Sequence, residues 1–156
     1  MKEVNREVRQ FGVAVPVGVE HVGLRARTLH ETGNLPVITD CPNAFNTVTM
    51  TVVLAEVVNC ASAFMPFVAK CYDTRPADVF CRVDSGETRM IPCSSSVQEG
   101  DPMGPALFCL GLRPGRKHFR EEFEGEGVKA FAYMDDVFLG LMGITANTIR
   151  AFDFLW

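Results

Sequence analysis

FAYMDDVFLG, residues 131–140, sets two adjacent aspartates between two apolar runs. Phe131, Ala132 and Tyr133 lead into a pair of aspartates, and Val137, Phe138 and Leu139 lead out of it. Strand-forming residues on both sides of a polar pair predict a β-hairpin with Asp135 and Asp136 at its tip. Two adjacent carboxylates repel each other, so the pair needs a reason. One reading is a solvated turn, because aspartate suits turns and an exposed pair costs little in water. The other is a divalent cation that removes the repulsion. Mg²⁺ prefers oxygen ligands and takes one or two carboxylates together with substrate phosphates.

Working outward, a second hairpin is predicted where residues 79–83 and 88–93 flank Asp84-Ser85-Gly86. Residues 35–39 form a short apolar run after the turn Thr32-Gly33-Asn34 and read as a buried strand ending at Asp40. Val19, Val22, Ala26 and Leu29 recur at helical spacing over residues 18–31. Met50, Val53, Leu54, Val57 and Val58 fit one helical face, and a further helix over 61–71 is bent or split by Pro66. Residues 100–105 read as a Gly/Pro-rich loop, followed by a helix from Ala106 to about Pro114-Gly115. Thr145 is placed to cap a last helix with Ile149, Phe152 and Trp156 on one face. This irregular mixture predicts an α+β fold, with helices packed on one face of a small antiparallel β-sheet.

The chain has 156 residues, enough for a single domain over 1–156 with a real core. Its net charge of −4 argues against a free-standing nucleic-acid binder, though not against a site where metal ions carry the positive charge. Arg113, Arg116, Lys117 and Arg120 run straight into Glu121, Glu122, Glu124 and Glu126, which reads as a solvated, self-paired face. Cysteines at 41, 60, 71, 81, 93 and 109 form no CxxC pair and predict reduced, buried thiols of an intracellular protein. The N-terminal MKEVNREVRQ lacks an apolar targeting core, and the weakly polar stretch 57–69 is too short to span a bilayer. No membrane partner is therefore expected. His21, His30 and His118 read as surface or packing residues, and residues 12–23 carry neither a P-loop nor a dinucleotide fingerprint.

A metal site needs ligands from more than one hairpin tip. The second source is TDCPNAFNTV, residues 39–48, where Asp40 is either a helix cap or a ligand. Here the residues carry a resemblance. Residues 40–46, DCPNAFN, resemble motif A of reverse transcriptases; residues 97–108, VQEGDPMGPALF, resemble motif B; and residues 132–136, AYMDD, resemble motif C. The order is the family's, and the intervals resemble those of non-LTR (LINE-type) retrotransposon enzymes. The stretch from Gln10-Phe11-Gly12 through Gly18-Val19-Glu20 resembles the segment before motif A in some of them.

The resemblance covers nearly the whole chain and implies a polymerase palm with partial fingers, truncated at both ends. The implied activity is RNA-directed DNA polymerase. It would add dNTPs to the 3′-hydroxyl of a DNA primer on an RNA template. Asp40, Asp135 and Asp136 would be the catalytic carboxylates. With the backbone carbonyl of Cys41 they would hold two Mg²⁺ ions, about 3.5–4 Å apart, for which Mn²⁺ can substitute. Phe45 would exclude a 2′-hydroxyl by steric clash. Gln98, Glu99 and Gly100 would contact the nucleotide, and Tyr133 and Met134 would lie under the primer end. The chain departs from the pattern at Glu99, which stands where the family has glutamine, and at Ser96, where glycine is common. Little of the fingers precedes Gln10 and no thumb follows Trp156, so a longer polyprotein is expected to supply them. These departures support an alternative: a catalytically inactive, retrotransposon-derived fragment that at most binds RNA or another protein.

Overall fold

The structure, a computed structural model, describes residues 9–40, 43–72, 77–93, 97, 100–125 and 127–154. Helix α1 (Gly18–Glu31) leads into strand β1 (Leu35–Thr39). A short helical turn, α2 (Ala44–Thr47), precedes α3 (Met50–Ala61), a 3₁₀ turn (Ser62–Phe64) and α4 (Met65–Cys71). The hairpin β2 (Ala77–Arg82) and β3 (Thr88–Cys93) follows, then α5 (Gly104–Gly111) and α6 (Arg113–Phe123). The chain closes with β4 (Val128–Tyr133), β5 (Asp136–Leu141) and α7 (Ala146–Asp153). The fold is mixed α+β with small antiparallel sheets, as the sequence predicts.

The main sheet has the order β1-β5-β4, so the last strand of the chain inserts between the first and its own hairpin partner. Both pairings are antiparallel, and the β1–β5 register runs from Leu35 opposite Leu141 to Thr39 opposite Val137. Hairpin β2–β3 forms a separate ribbon. Its turn holds Gly86 at a φ of 84°, with the Gly86 amide donating to the Val83 carbonyl at 2.8 Å.

The expectation of helices on one face of the sheet is corrected, because both faces are apolar and both are covered. Val37, Val128, Val137, Leu139 and Leu141 point towards α6 and α7, where Phe119, Phe123 and Ala151 meet them. Phe131 and Phe138 point the other way, towards Val22 and Leu29 of α1. Their rings stack with centroids 5.1 Å apart. Alternation along a strand sends successive side chains to opposite faces, and here both sets are hydrophobic. Gly140 makes room for α1: a Cβ there would stand 2.6 Å from Leu29 Cδ1. A third cluster joins α3, α4 and α5 through Val53, Val57, Val68, Leu107 and Phe108.

Several boundaries also move. Pro114 does not terminate a helix but starts α6 in its first turn, where its missing N–H costs nothing. The 113–124 segment is self-paired only in part: Arg120 meets Glu124 at 2.7 Å, but Arg113 reaches Glu56, Arg116 reaches the Met134 carbonyl, and Phe119 and Phe123 are buried. Pro66 opens α4 after the 3₁₀ break, so the split expected at Pro66 is found. Val58 is 53% exposed; the buried partner beside Val57 is Glu56, which accepts from Arg113 at 2.8 Å. Thr145 caps α7 through its Oγ1, which accepts from the Thr148 amide, yet Ile149 faces solvent and Thr148 and Ala151 are buried. Trp156 lies outside the described residues. Among Cys60, Cys71, Cys81 and Cys109, only Cys109 is buried, and Cys71 is exposed. The apolar helical run Met50–Cys71 reaches 22 residues and so is longer than the stretch 57–69 suggested. It is long and apolar enough to cross a membrane by length and composition alone, but Val53, Val57 and Val68 are spent on the α5 contact.

Candidate active site

The site is built by one strand pairing. Thr39 is the last β1 residue in register, opposite Val137, and its hydroxyl donates to the Val137 carbonyl at 3.3 Å. One step further, Asp40 leaves the strand beside Asp136, the first residue of β5. Residues from distant parts of the chain thus meet at one edge of the sheet. Asp40 is exposed, and Asn43 rather than Asp40 stands at the N-cap of α2.

The hairpin tip differs from expectation in one respect. Tyr133 pairs with Asp136, so only Met134 and Asp135 form the turn. Asp135 is at the tip, whereas Asp136 belongs to the strand. Met134 has a φ of 57°, the left-handed region that a side chain resists. Strain of this kind concentrates at sites where surrounding contacts over-determine the backbone.

Those contacts come from Gln10, a residue with no role expected of it. Gln10 is 1% exposed, and its side-chain amide spans the Met134 peptide groups. Gln10 Nε2 donates to the Met134 carbonyl at 3.1 Å, and Gln10 Oε1 accepts from the Met134 amide at 2.9 Å. Arg116 of α6 donates to the same Met134 carbonyl at 2.6 Å. Signals for both were present: Gln10-Phe11-Gly12 belongs to the stretch that resembles the segment before motif A, and Arg116 shares a helical face with Phe119 and Phe123.

Like charges converge on Asp136. Burial pushes its carboxyl above the ordinary value, and repulsion from Asp135 and then Asp40 adds to the rise. Three oxygen-donor carboxylates that repel one another suit a hard divalent cation, which would reverse the sign of the local field. Among the described residues, however, no group of three or more His, Cys, Asp or Glu side chains is drawn close enough to hold a metal ion. The carboxylates are brought to one edge without forming a closed ligand set. Cys41, Gln98 and Glu99 lie outside the described residues. Gly100 is exposed, with a φ of 84°.

The remaining expected residues are packed. Phe45 stacks on Phe108 with centroids 4.3 Å apart. Tyr133 packs against the cluster of Val22, Leu29 and Phe131, and Met134 against the α3–α5 cluster. Cys109 lies within electrostatic reach of the turn. Burial pushes its thiol up to about 12, with Arg116 lowering and Asp135 raising it. A cavity of about 270 Å³ opens beside Asp135, walled largely by carbon from Leu112, Phe119, Ala130, Val137 and Phe154. Such walls do not suit a triphosphate.

Compared with known proteins, the chain matches no family model and no curated protein.

Proposed function

We propose that the chain is the palm-centred part of a non-LTR-type reverse transcriptase, an RNA-directed DNA polymerase that extends a DNA primer with dNTPs on an RNA template. The observation that carries this reading is the β1–β5 pairing, which brings Asp40 to the Asp135-Asp136 turn. The three ordered sequence motifs support it independently. Asp40, Asp135 and Asp136 would hold Mg²⁺, or Mn²⁺ in its place, which would neutralise triphosphate charge and lower the pKa of the primer 3′-hydroxyl. Phosphoryl transfer relies on positioning and charge neutralisation, so it needs no protein nucleophile. Asp40 follows the last paired residue of β1, Thr39, and Asp136 precedes its partner Val137. Asp135 approaches from the turn. Half-buried Phe45 is held in place by Phe108, as a residue that discriminates sugars sterically must be.

A second reading is favoured by Glu99 in place of glutamine and by the open carboxylate set. In that reading the chain is an inactive remnant that binds RNA or protein at most. Primer extension on an RNA template with Mn²⁺ separates the two. Incorporation of dNTPs that is lost in Asp135→Asn supports the polymerase; metal binding without incorporation supports the remnant.

A further inference from the structure

The turn that carries Asp135 has an unsupported local sequence. Two-residue hairpin loops with left-handed backbone normally use Asn-Gly, Asp-Gly or a leading glycine. This loop is Met134-Asp135, and Met134 takes a φ of 57° without glycine's freedom. Something outside the hairpin must hold it.

Residues 9–12 run along the free edge of β4. The Phe11 amide donates to the Ala132 carbonyl at 2.8 Å, and the Ala132 amide donates to the Arg9 carbonyl at 3.0 Å. This docks Gln10 in a parallel bridge opposite Ala132, with its side chain directed at the next turn. A carboxamide supplies the donor and the acceptor that a peptide unit requires, and among side chains only Asn and Gln carry both in this form. Gln10 uses both on Met134, and its Oε1 also accepts from the Gly12 amide at 2.9 Å. Burial removes water as a competitor for these bonds. Gly12 permits the approach, since a Cβ there would stand 2.6 Å from Met134 Cγ and 2.7 Å from Met134 N.

We propose that Gln10 is a positioning residue: its buried amide clamps Met134 in the left-handed conformation and so sets where Asp135 and Asp136 stand relative to Asp40. Its purpose rests on the polymerase reading, whereas the clamp itself rests on the contacts alone. Glutamate at position 10 would keep the acceptor, lose the donor and add a carboxylate beside two others. Methionine would keep the volume and lose both bonds.

The test compares wild type, Gln10→Met and Gln10→Glu by two readouts, amide hydrogen exchange and Mn²⁺ binding by water-proton relaxation. Circular dichroism selects conditions where each variant is folded. In Gln10→Met the Met134 amide is expected to exchange about tenfold faster, with the Leu139 amide unchanged, the size expected for one lost hydrogen bond. Mn²⁺ affinity is expected to fall by about the same factor. Adding Met134→Gly to Gln10→Met should recover part of that affinity, because glycine adopts the left-handed conformation unaided. If Gln10→Met does not fold, Gln10→Leu, which also loses both bonds, carries the test with the same expectation. A folded variant with wild-type exchange at Met134 overturns the clamp. Faster exchange with unchanged Mn²⁺ affinity overturns its positioning role. A wild-type chain that binds no Mn²⁺ fails the polymerase reading instead, and the exchange rate alone then decides whether the clamp exists.

Discussion

At the scale of the residue, the site trades stability for charge. Asp136 is repelled by Asp135 and then by Asp40, and like charges held close together destabilise a fold. Asp136→Asn should therefore stabilise the chain at neutral pH by roughly 0.2–1 kcal/mol, the size of a single side-chain pair, while weakening Mn²⁺ binding. Denaturant melts beside metal titration check both halves. The raised carboxyl of Asp136 keeps its proton to higher pH in the folded state, so its contribution to stability falls as pH rises through the carboxylate range; the Asn variant should lack that slope. Cys109 gives a second test. Its buried thiol titrates at about 12 against an ordinary 9.0, so stability is retained below pH 9 and declines as pH rises across that interval. Iodoacetamide at pH 8 should modify exposed Cys71 and spare Cys109 in the folded chain, as peptide mapping would reveal. The carboxylates were legible because an Asp-Asp pair between apolar runs has few uses. Gln10 was not, because a glutamine reveals its role only when the chain's distant partner is placed beside it.

At the scale of the element, period and punctuation carried the reading. Helix α1 and strand β1 lie where the sequence put them, since each has a clear period and a Gly or Asp at its end. Helix α6 was hidden by Pro114-Gly115, a pair that marks turns but also suits a first helical turn. Both faces of the sheet are covered because the apolar residues of β4 and β5 fall on both sides of the pleat, a pattern that a short run of hydrophobic residues does not distinguish from a one-sided strand. Phe108, fully buried and stacked on Phe45, ties α5 to α2. Phe108→Ala should cost about 3–5 kcal/mol in denaturant unfolding. A loss under about 1 kcal/mol would mean that the α3–α5 cluster is not packed as described.

At the scale of the whole molecule, the charge pattern limits how the chain can hold nucleic acid. The net charge is −4, and Arg9, Arg113, Arg120 and Arg150 are each paired with a glutamate. Primer–template binding by this chain should therefore be weak and depend on salt with a shallow slope, equivalent to about one to three phosphate contacts. Fluorescence anisotropy across a salt series measures that slope. A steep dependence would mean that many more cations reach phosphate than these pairings leave available. Fold class was legible in the sequence at this scale, because hairpins and helices alternate irregularly. The order β1-β5-β4 was not legible from pattern alone, since hydrophobic period does not say which strands become neighbours; only the resemblance implied that Asp40 meets the Asp135-Asp136 turn.

Paramagnetic broadening by Mn²⁺ reports whether Asp40 and the Asp135-Asp136 turn share one ion. Sub-stoichiometric Mn²⁺ titrated into the isotope-labelled chain should broaden the amides of Thr39 and Asp40 together with those of Met134 to Val137, and Asp40→Asn should reduce the broadening at both segments. Broadening confined to residues 134–137, unaltered by Asp40→Asn, would contradict the account: the Asp-Asp pair would then be a hairpin tip that binds metal, if at all, without β1.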